Sequence, residues 1–174
     1  CNAKKTMCMV FNPKDRKKII TTSFPQFTLD NISLQYACEF KYLGHLISNN
    51  FTDDTDIQRE VRNMFVRTNI LIRRFSRCST AVKVVLFKSY CLCLYDSALW
   101  KSYNTTTLNK LMSCYHKCIK LFFGFKRRDS VTNILLQLSL PSFSTLLVNG
   151  CVVFTHCYTT CMNAVVRHLN TLGY

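Results

Sequence analysis

Phe40-Lys41-Tyr42-Leu43-Gly44-His45-Leu46-Ile47-Ser48 reads as two short strands about a bend. Phe40, Tyr42, Leu43, Leu46 and Ile47 are aromatic or branched and suit a pleated, half-buried surface. Gly44 tolerates a positive φ, so the backbone is free to turn or bulge there. The stretch is expected to form a hairpin, and its setting gives it interest. Strand-like, basic sequence precedes it and long basic helices follow.

Upstream, residues 6–11 read as a strand, and Asn12-Pro13-Lys14-Asp15-Arg16 as a polar turn. Residues 27–29 and 32–36 flank Asp30-Asn31, a two-residue turn signal without the usual Gly. With the hairpin these are expected to make one small antiparallel sheet. Downstream, Ile57, Val61, Met64, Phe65, Thr68, Leu71, Ile72 and Phe75 recur at spacings of three and four, the period of an amphipathic helix. Thr55-x-x-Gln58 has the form of a capping box, and Asp53, Asp54 and Asp56 suit the positive end of the helix dipole. A second helix is expected over about 80–94, with Val82, Leu86, Tyr90 and Cys93 on one face. A third is expected over about 107–123, with Leu108, Leu111, Met112, Tyr115, Cys118 and Phe122 inward and Gly124 as its stop. Ser130 opens a short fourth helix that closes before Pro141, and Ser142 caps a fifth over about 143–161. The fold class is therefore α+β and mostly α. A small β element (1–50) leads into a helical bundle (51–140) and a helical extension (141–174).

Lys and Arg number 23 against 9 Asp and Glu, a net charge of +14. The excess sits before Asp129, since Arg167 is the one cation after it. A polyanionic partner is the natural inference, nucleic acid being the commonest. No apolar run reaches the ~18 residues of a membrane span, and 146–161 is interrupted by Asn149, Gly150 and His156. Neither a membrane nor a secretory role is expected. The eleven Cys include Cys91, Cys93, Cys114, Cys118, Cys157 and Cys161 within apolar helical patterns, which fits reduced, buried thiols inside a cell. The chain opens on Cys1 inside a strand approach, and it is expected to be a piece of a longer protein.

Several segments carry a resemblance. Asn2-Ala3-Lys4-Lys5-Thr6 leads into Met7-Cys8-Met9-Val10-Phe11, and the hairpin follows. Then come Leu86-Phe87-Lys88-Ser89-Tyr90-Cys91, Leu99-Trp100, Phe123-Gly124-Phe125-Lys126-Arg127-Arg128-Asp129-Ser130 and Leu140-Pro141-Ser142-Phe143. In this order they resemble the end of the palm and the thumb of a reverse transcriptase from a non-LTR, LINE-like (jockey/CR1-type) retrotransposon, over nearly the whole chain to about residue 145. The resemblance implies a palm tail and primer grip over 1–50, a thumb over 51–140 and a C-terminal extension. Lys5 matches a lysine placed near the pyrophosphate leaving group, as an auxiliary rather than a catalytic centre. Lys41, Tyr42, Leu43 and Gly44 match the primer grip.

A thumb follows a duplex without reading its sequence, so its cations meet phosphates. Arg59, Arg62, Arg73, Arg74, Lys83, Lys88, Lys126, Arg127 and Arg128 are the candidates. The family's paired catalytic aspartates lie in a Tyr-x-Asp-Asp segment, which is absent from this sequence. Asp53-Asp54 is read as a helix start and not as their replacement. Mg2+ belongs to the full-length polymerase, and this chain alone is expected to hold a template–primer duplex, RNA–DNA or DNA, without extending it. The upstream fingers and palm are its implied partners, in nucleus and cytoplasm. Cys114, His116 and Cys118 lack the paired Cys-x2-Cys spacing of a zinc site, and no metal is expected. The alternative is a non-enzymatic helical module that binds nucleic acid or protein, a remnant of a mobile element.

Overall fold

The computed structural model describes residues 2, 5–11 and 23–172. The turn expected over 12–16 lies outside the described residues. The architecture is α+β and mostly α, with six helices and three small strand pairs among the described residues. The chain divides into two compact units, one of residues 1–59 with 101–108, the other of 60–100 with 109–174.

The first unit holds the strands. β1 (Met7–Cys8) pairs in parallel with β4 (Gln35–Tyr36), β2 (Thr28–Leu29) pairs antiparallel with β3 (Ile32–Ser33), and β5 (Glu39–Tyr42) pairs antiparallel with β6 (His45–Ser48). The single antiparallel sheet expected from sequence is thus three separate ladders, one of them parallel. The β2–β3 ladder ends where the Leu34 N–H donates to Phe27 O at 2.8 Å, and the chain then crosses to β1. A parallel pair needs such a crossover, and alternation of side chains does not signal it. The Asp30-Asn31 turn forms as expected, with φ of 50° and 60°, both in the left-handed region that such tight hairpin turns require.

The Phe40 to Ser48 hairpin also forms, with Phe40 opposite Ile47 and Tyr42 opposite His45. Leu43 and Gly44 make its turn at φ of 48° and 98°. Asn50 then accepts the Thr52 N–H at 3.1 Å and leads the chain into α1 (Asp54–Phe75). This helix starts at Asp54, not at a Thr55 cap. Thr55 lies inside the first turn, and its hydroxyl is buried without a hydrogen-bond partner. Asp53 and Asp54 reach across to the segment before α3 (Thr105–Phe123). Asp53 accepts the N–H groups of Lys101 and Ser102, both at 2.8 Å, and Asp54 accepts the Asn104 N–H at 2.9 Å and its side-chain amide at 2.7 Å.

The second unit packs the rest of α1 and α3 with α2 (Thr80–Cys91), a 3-10 turn (Tyr95–Ala98), α4 (Val131–Leu138), α5 (Phe143–Thr159) and α6 (Ala164–Thr171). The 3-10 turn and α6 were not anticipated. Met64, Leu71, Phe87, Leu111, Tyr115 and Phe122 are all at most 3% exposed and form its core. Phe87 lies against Tyr115, Phe122 and Phe123, with ring centroids 5.9 to 6.3 Å apart. Tyr115 donates to Pro141 O at 2.6 Å and so ties α3 to the start of α5.

The face expected for α2 is corrected by one residue. Val82 and Tyr90 are 47% and 56% exposed, whereas Phe87 and Cys91 are fully buried. Ala81, Val82, Val84, Val85, Leu86 and Phe87 are apolar on every side, so the sequence has no period from which to read a phase. The thiols also divide. Cys91, Cys114 and Cys118 are buried, but Cys151 and Cys157 on α5 are exposed. That corrects the expectation of burial for Cys157. Residues 151–157 are exposed throughout, and their apolar character did not predict burial.

Candidate nucleic-acid interface

Charge separates the two units. The first carries nine Lys and Arg against six Asp and Glu, a net of +3. The second carries 14 against three, a net of +11. Within the second unit, residues 131–174 contribute Arg167 alone. The basic surface therefore belongs to α1, α2, α3 and the turn between α3 and α4.

Arg62, Arg73 and Arg74 on α1, Lys88 on α2, and Lys126, Arg127 and Arg128 in the turn are all exposed. They belong to the second unit and present their cations to solvent, where phosphates would reach them. Lys83 is half-buried, with its ammonium 5.6 Å from the centre of the Phe122 ring, a cation–π distance. Arg59 lies in the first unit, where its Nε donates to Asp56 at 2.7 Å. Its charge is met by a wholly buried carboxylate, so of the nine candidates it is the one most committed to structure. Arg67 is occupied similarly, donating to Glu60 at 2.5 Å and to Tyr90 O at 3.3 Å, which links α1 to α2.

In the hairpin, Lys41, Tyr42 and Leu43 are exposed, Leu43 at 88%. Gly44 is half-buried. Lys5 is exposed, and its N–H donates to Asn2 O at 2.9 Å. A residue that the sequence explained only through the helix dipole fixes the hairpin. Asp56 accepts the Leu46 N–H at 3.0 Å and lies 3.1 Å from His45 Nδ1. The signal for it was present in Asp56 itself, an acid on the face where Ile57 turns inward. Dipole reasoning explained its presence without asking what else its oxygens meet.

Cys91, Cys114 and Cys118 are buried in the helical unit, and His116 lies half-buried on α3. Cys114 and Cys118 share a face of α3, with Sγ atoms 3.8 Å apart, and Cys114 also approaches Val61 O at 3.6 Å. Thr68 on α1 meets Cys91 at 3.6 Å. Burial pushes the Cys91 thiol up to about 11, with a lesser opposing effect of the Thr68 hydrogen bond. Burial and the nearby Lys120 ammonium lower the pKa of His116. The three buried thiols act as small apolar groups filling a helical core.

Compared with known proteins, the chain matches no family model, no curated protein and no solved structure. Among the described residues no single helix is long and apolar enough to cross a membrane.

Proposed function

We propose that this chain is the template–primer-holding portion, primer grip and thumb, of an RNA-directed DNA polymerase of a non-LTR retrotransposon. The observation that carries the reading is the net +11 of the helical unit, displayed on exposed faces of α1 and α2 and on the α3–α4 turn. A surface of that kind binds a duplex through its phosphates and releases counterions in doing so, with little regard to sequence. In this reading Lys41, Tyr42, Leu43 and Gly44 meet the primer end, and Arg62, Arg73, Arg74, Lys88, Lys126, Arg127 and Arg128 meet the duplex backbone. Lys83 and Arg59 support the surface more than they contact it, because each already has a partner.

The sequence lacks a Tyr-x-Asp-Asp segment, and Asp53 and Asp54 each accept two hydrogen bonds from backbone and amide donors. The chain by itself is therefore read as a binding portion. Mg2+-dependent extension, the upstream fingers and palm, and a nuclear and cytoplasmic setting belong to the parent polymerase. The test is a primer-extension assay beside a binding assay on the same RNA–DNA duplex. Binding without extension is expected, and extension by this chain would overturn the reading of it as a binding portion alone.

A second reading rests on a different observation. Val148, Val152, Val153 and Val165 on α5 and α6 are 58% to 67% exposed. An uncovered apolar face of this kind suits a helical protein-binding module. A stable protein complex together with failure to bind any duplex would favour it.

A further inference from the structure

We propose that the α3–α4 turn is a preorganised phosphate-binding loop, in which Asp129 and Lys120 are positioning residues for Lys126, Arg127 and Arg128. The inference rests on the nucleic-acid reading and adds to it how the cations are held. The turn is fixed by bonds from both sides. Gly124 ends α3 at φ of 78°, and the Phe125 N–H returns to Lys120 O at 2.9 Å. Asp129 then folds back on the segment. Its carboxylate accepts the Lys126 N–H at 2.6 Å, while its own N–H donates to Lys126 O at 3.2 Å. From the other side the Lys120 ammonium donates to Arg127 O and to Asp129 O, each at 2.8 Å. Ser130 follows at once as the cap of α4.

The outcome is a turn braced by these bonds, with its three consecutive cations exposed. Lys120 is half-buried and its donors point at carbonyl groups, so it serves the loop and not the phosphate. Asp129 is the informative residue. On charge alone, a carboxylate beside three phosphate-binding cations weakens binding of a polyanion. Its presence fits if holding the loop offsets that repulsion, because three long side chains on a free loop lose more entropy on binding.

Two substitutions at one position separate charge from geometry. Asp129→Asn and Asp129→Ala both remove one negative charge, but only Asn keeps an oxygen to accept the Lys126 N–H. Affinity for a fluorescein-labelled RNA–DNA duplex is measured by anisotropy at one fixed salt concentration. Asp129→Asn is expected to bind at least as tightly as the unaltered chain, and Asp129→Ala about five-fold more weakly than Asp129→Asn, as for loss of one hydrogen bond. Equal affinity of the two variants would overturn the positioning role. If Asp129→Ala unfolds the chain, Lys120→Met and Lys117→Met give the same comparison, since both remove one cation from α3. Lys120→Met is expected to bind about five-fold more weakly than Lys117→Met, and equality would again overturn the proposal. Failure of the unaltered chain to bind the duplex is a different result, and it would remove the nucleic-acid reading itself.

Discussion

The carboxylate of Asp56, fully buried in the first turn of α1, accepts the backbone N–H of Leu46 at 3.0 Å and so ties the second strand of the hairpin to the helix that follows it. The same group receives Arg59 Nε at 2.7 Å and faces His45 Nδ1 at 3.1 Å. Asp56→Ala leaves the Leu46 N–H without its acceptor and removes the carboxylate that Arg59 Nε meets. The expected cost is about 2–4 kcal/mol in urea unfolding. Asp56→Asn retains an oxygen for Leu46 and is expected to cost less. A loss below about 0.5 kcal/mol for Ala, the range of an ordinary surface substitution, would show that the hairpin does not depend on this link.

The hairpin turn carries an unfavourable residue. Leu43 holds φ of 48° with its side chain almost wholly in solvent, and Gly44 holds 98° with open space where a Cβ would stand. Leu43→Asn is therefore expected to stabilise the fold by about 0.5–1 kcal/mol, because Asn tolerates the left-handed region and little contact is lost. Gly44→Ala is expected to destabilise it by about 1–2 kcal/mol through backbone strain alone. Thermal melts of the two variants check both signs.

The corrected face of α2 has a direct test in a pair of truncations. Phe87→Ala removes a buried ring in contact with Tyr115, Phe122 and Phe123, and about 3–5 kcal/mol of stability is expected to go with it. Val82→Ala, on the exposed side, is expected to cost no more than about 0.5 kcal/mol. Comparable losses would return α2 to the face first expected.

Alkaline pH is expected to weaken the helical unit. The Cys91 thiol is raised from 9.0 to about 11, chiefly by burial. Between those values the unfolded chain has released this proton while the folded chain retains it. The folded state then binds more protons, so stability falls as pH rises from 9 to 11 and is unaffected by this group below 9. The loss attributable to Cys91 is at most about 2–3 kcal/mol. Urea unfolding at pH 8 to 11 should show a shallower decline for Cys91→Ala than for the unaltered chain.

Much of the architecture was legible where one signal dominated. The hairpin turn could be read from Gly44, the end of α3 from Gly124, and the starts of α4 and α5 from Ser130 and Ser142. The inward face of α3 was legible because its apolar residues keep a clear period, and Leu111, Tyr115, Cys118 and Phe122 are buried as expected. What was lost depended on partners distant in sequence. Asp53 bonds residues 48 and 49 positions away, and β1 finds β4 across a crossover that no local pattern announces. Among the cations, charge and spacing gave the basic surface but not its division of labour. Arg59, held by Asp56, differs from exposed Arg62 by a helical i,i+3 spacing to an acid, but nothing in the sequence distinguishes Lys117 from Lys120.

The most direct test of the central claim is the salt dependence of binding to an RNA–DNA duplex. Association constants measured by fluorescence anisotropy from low to near-physiological salt are expected to fall steeply. Neutralising several phosphates implies a slope of log K against log salt of about −4 or steeper. Replacing Lys126, Arg127 and Arg128 together by Ala is expected to make that slope shallower by about 2–3. Binding that is flat across the salt series, or unchanged in slope by the triple replacement, would contradict the account.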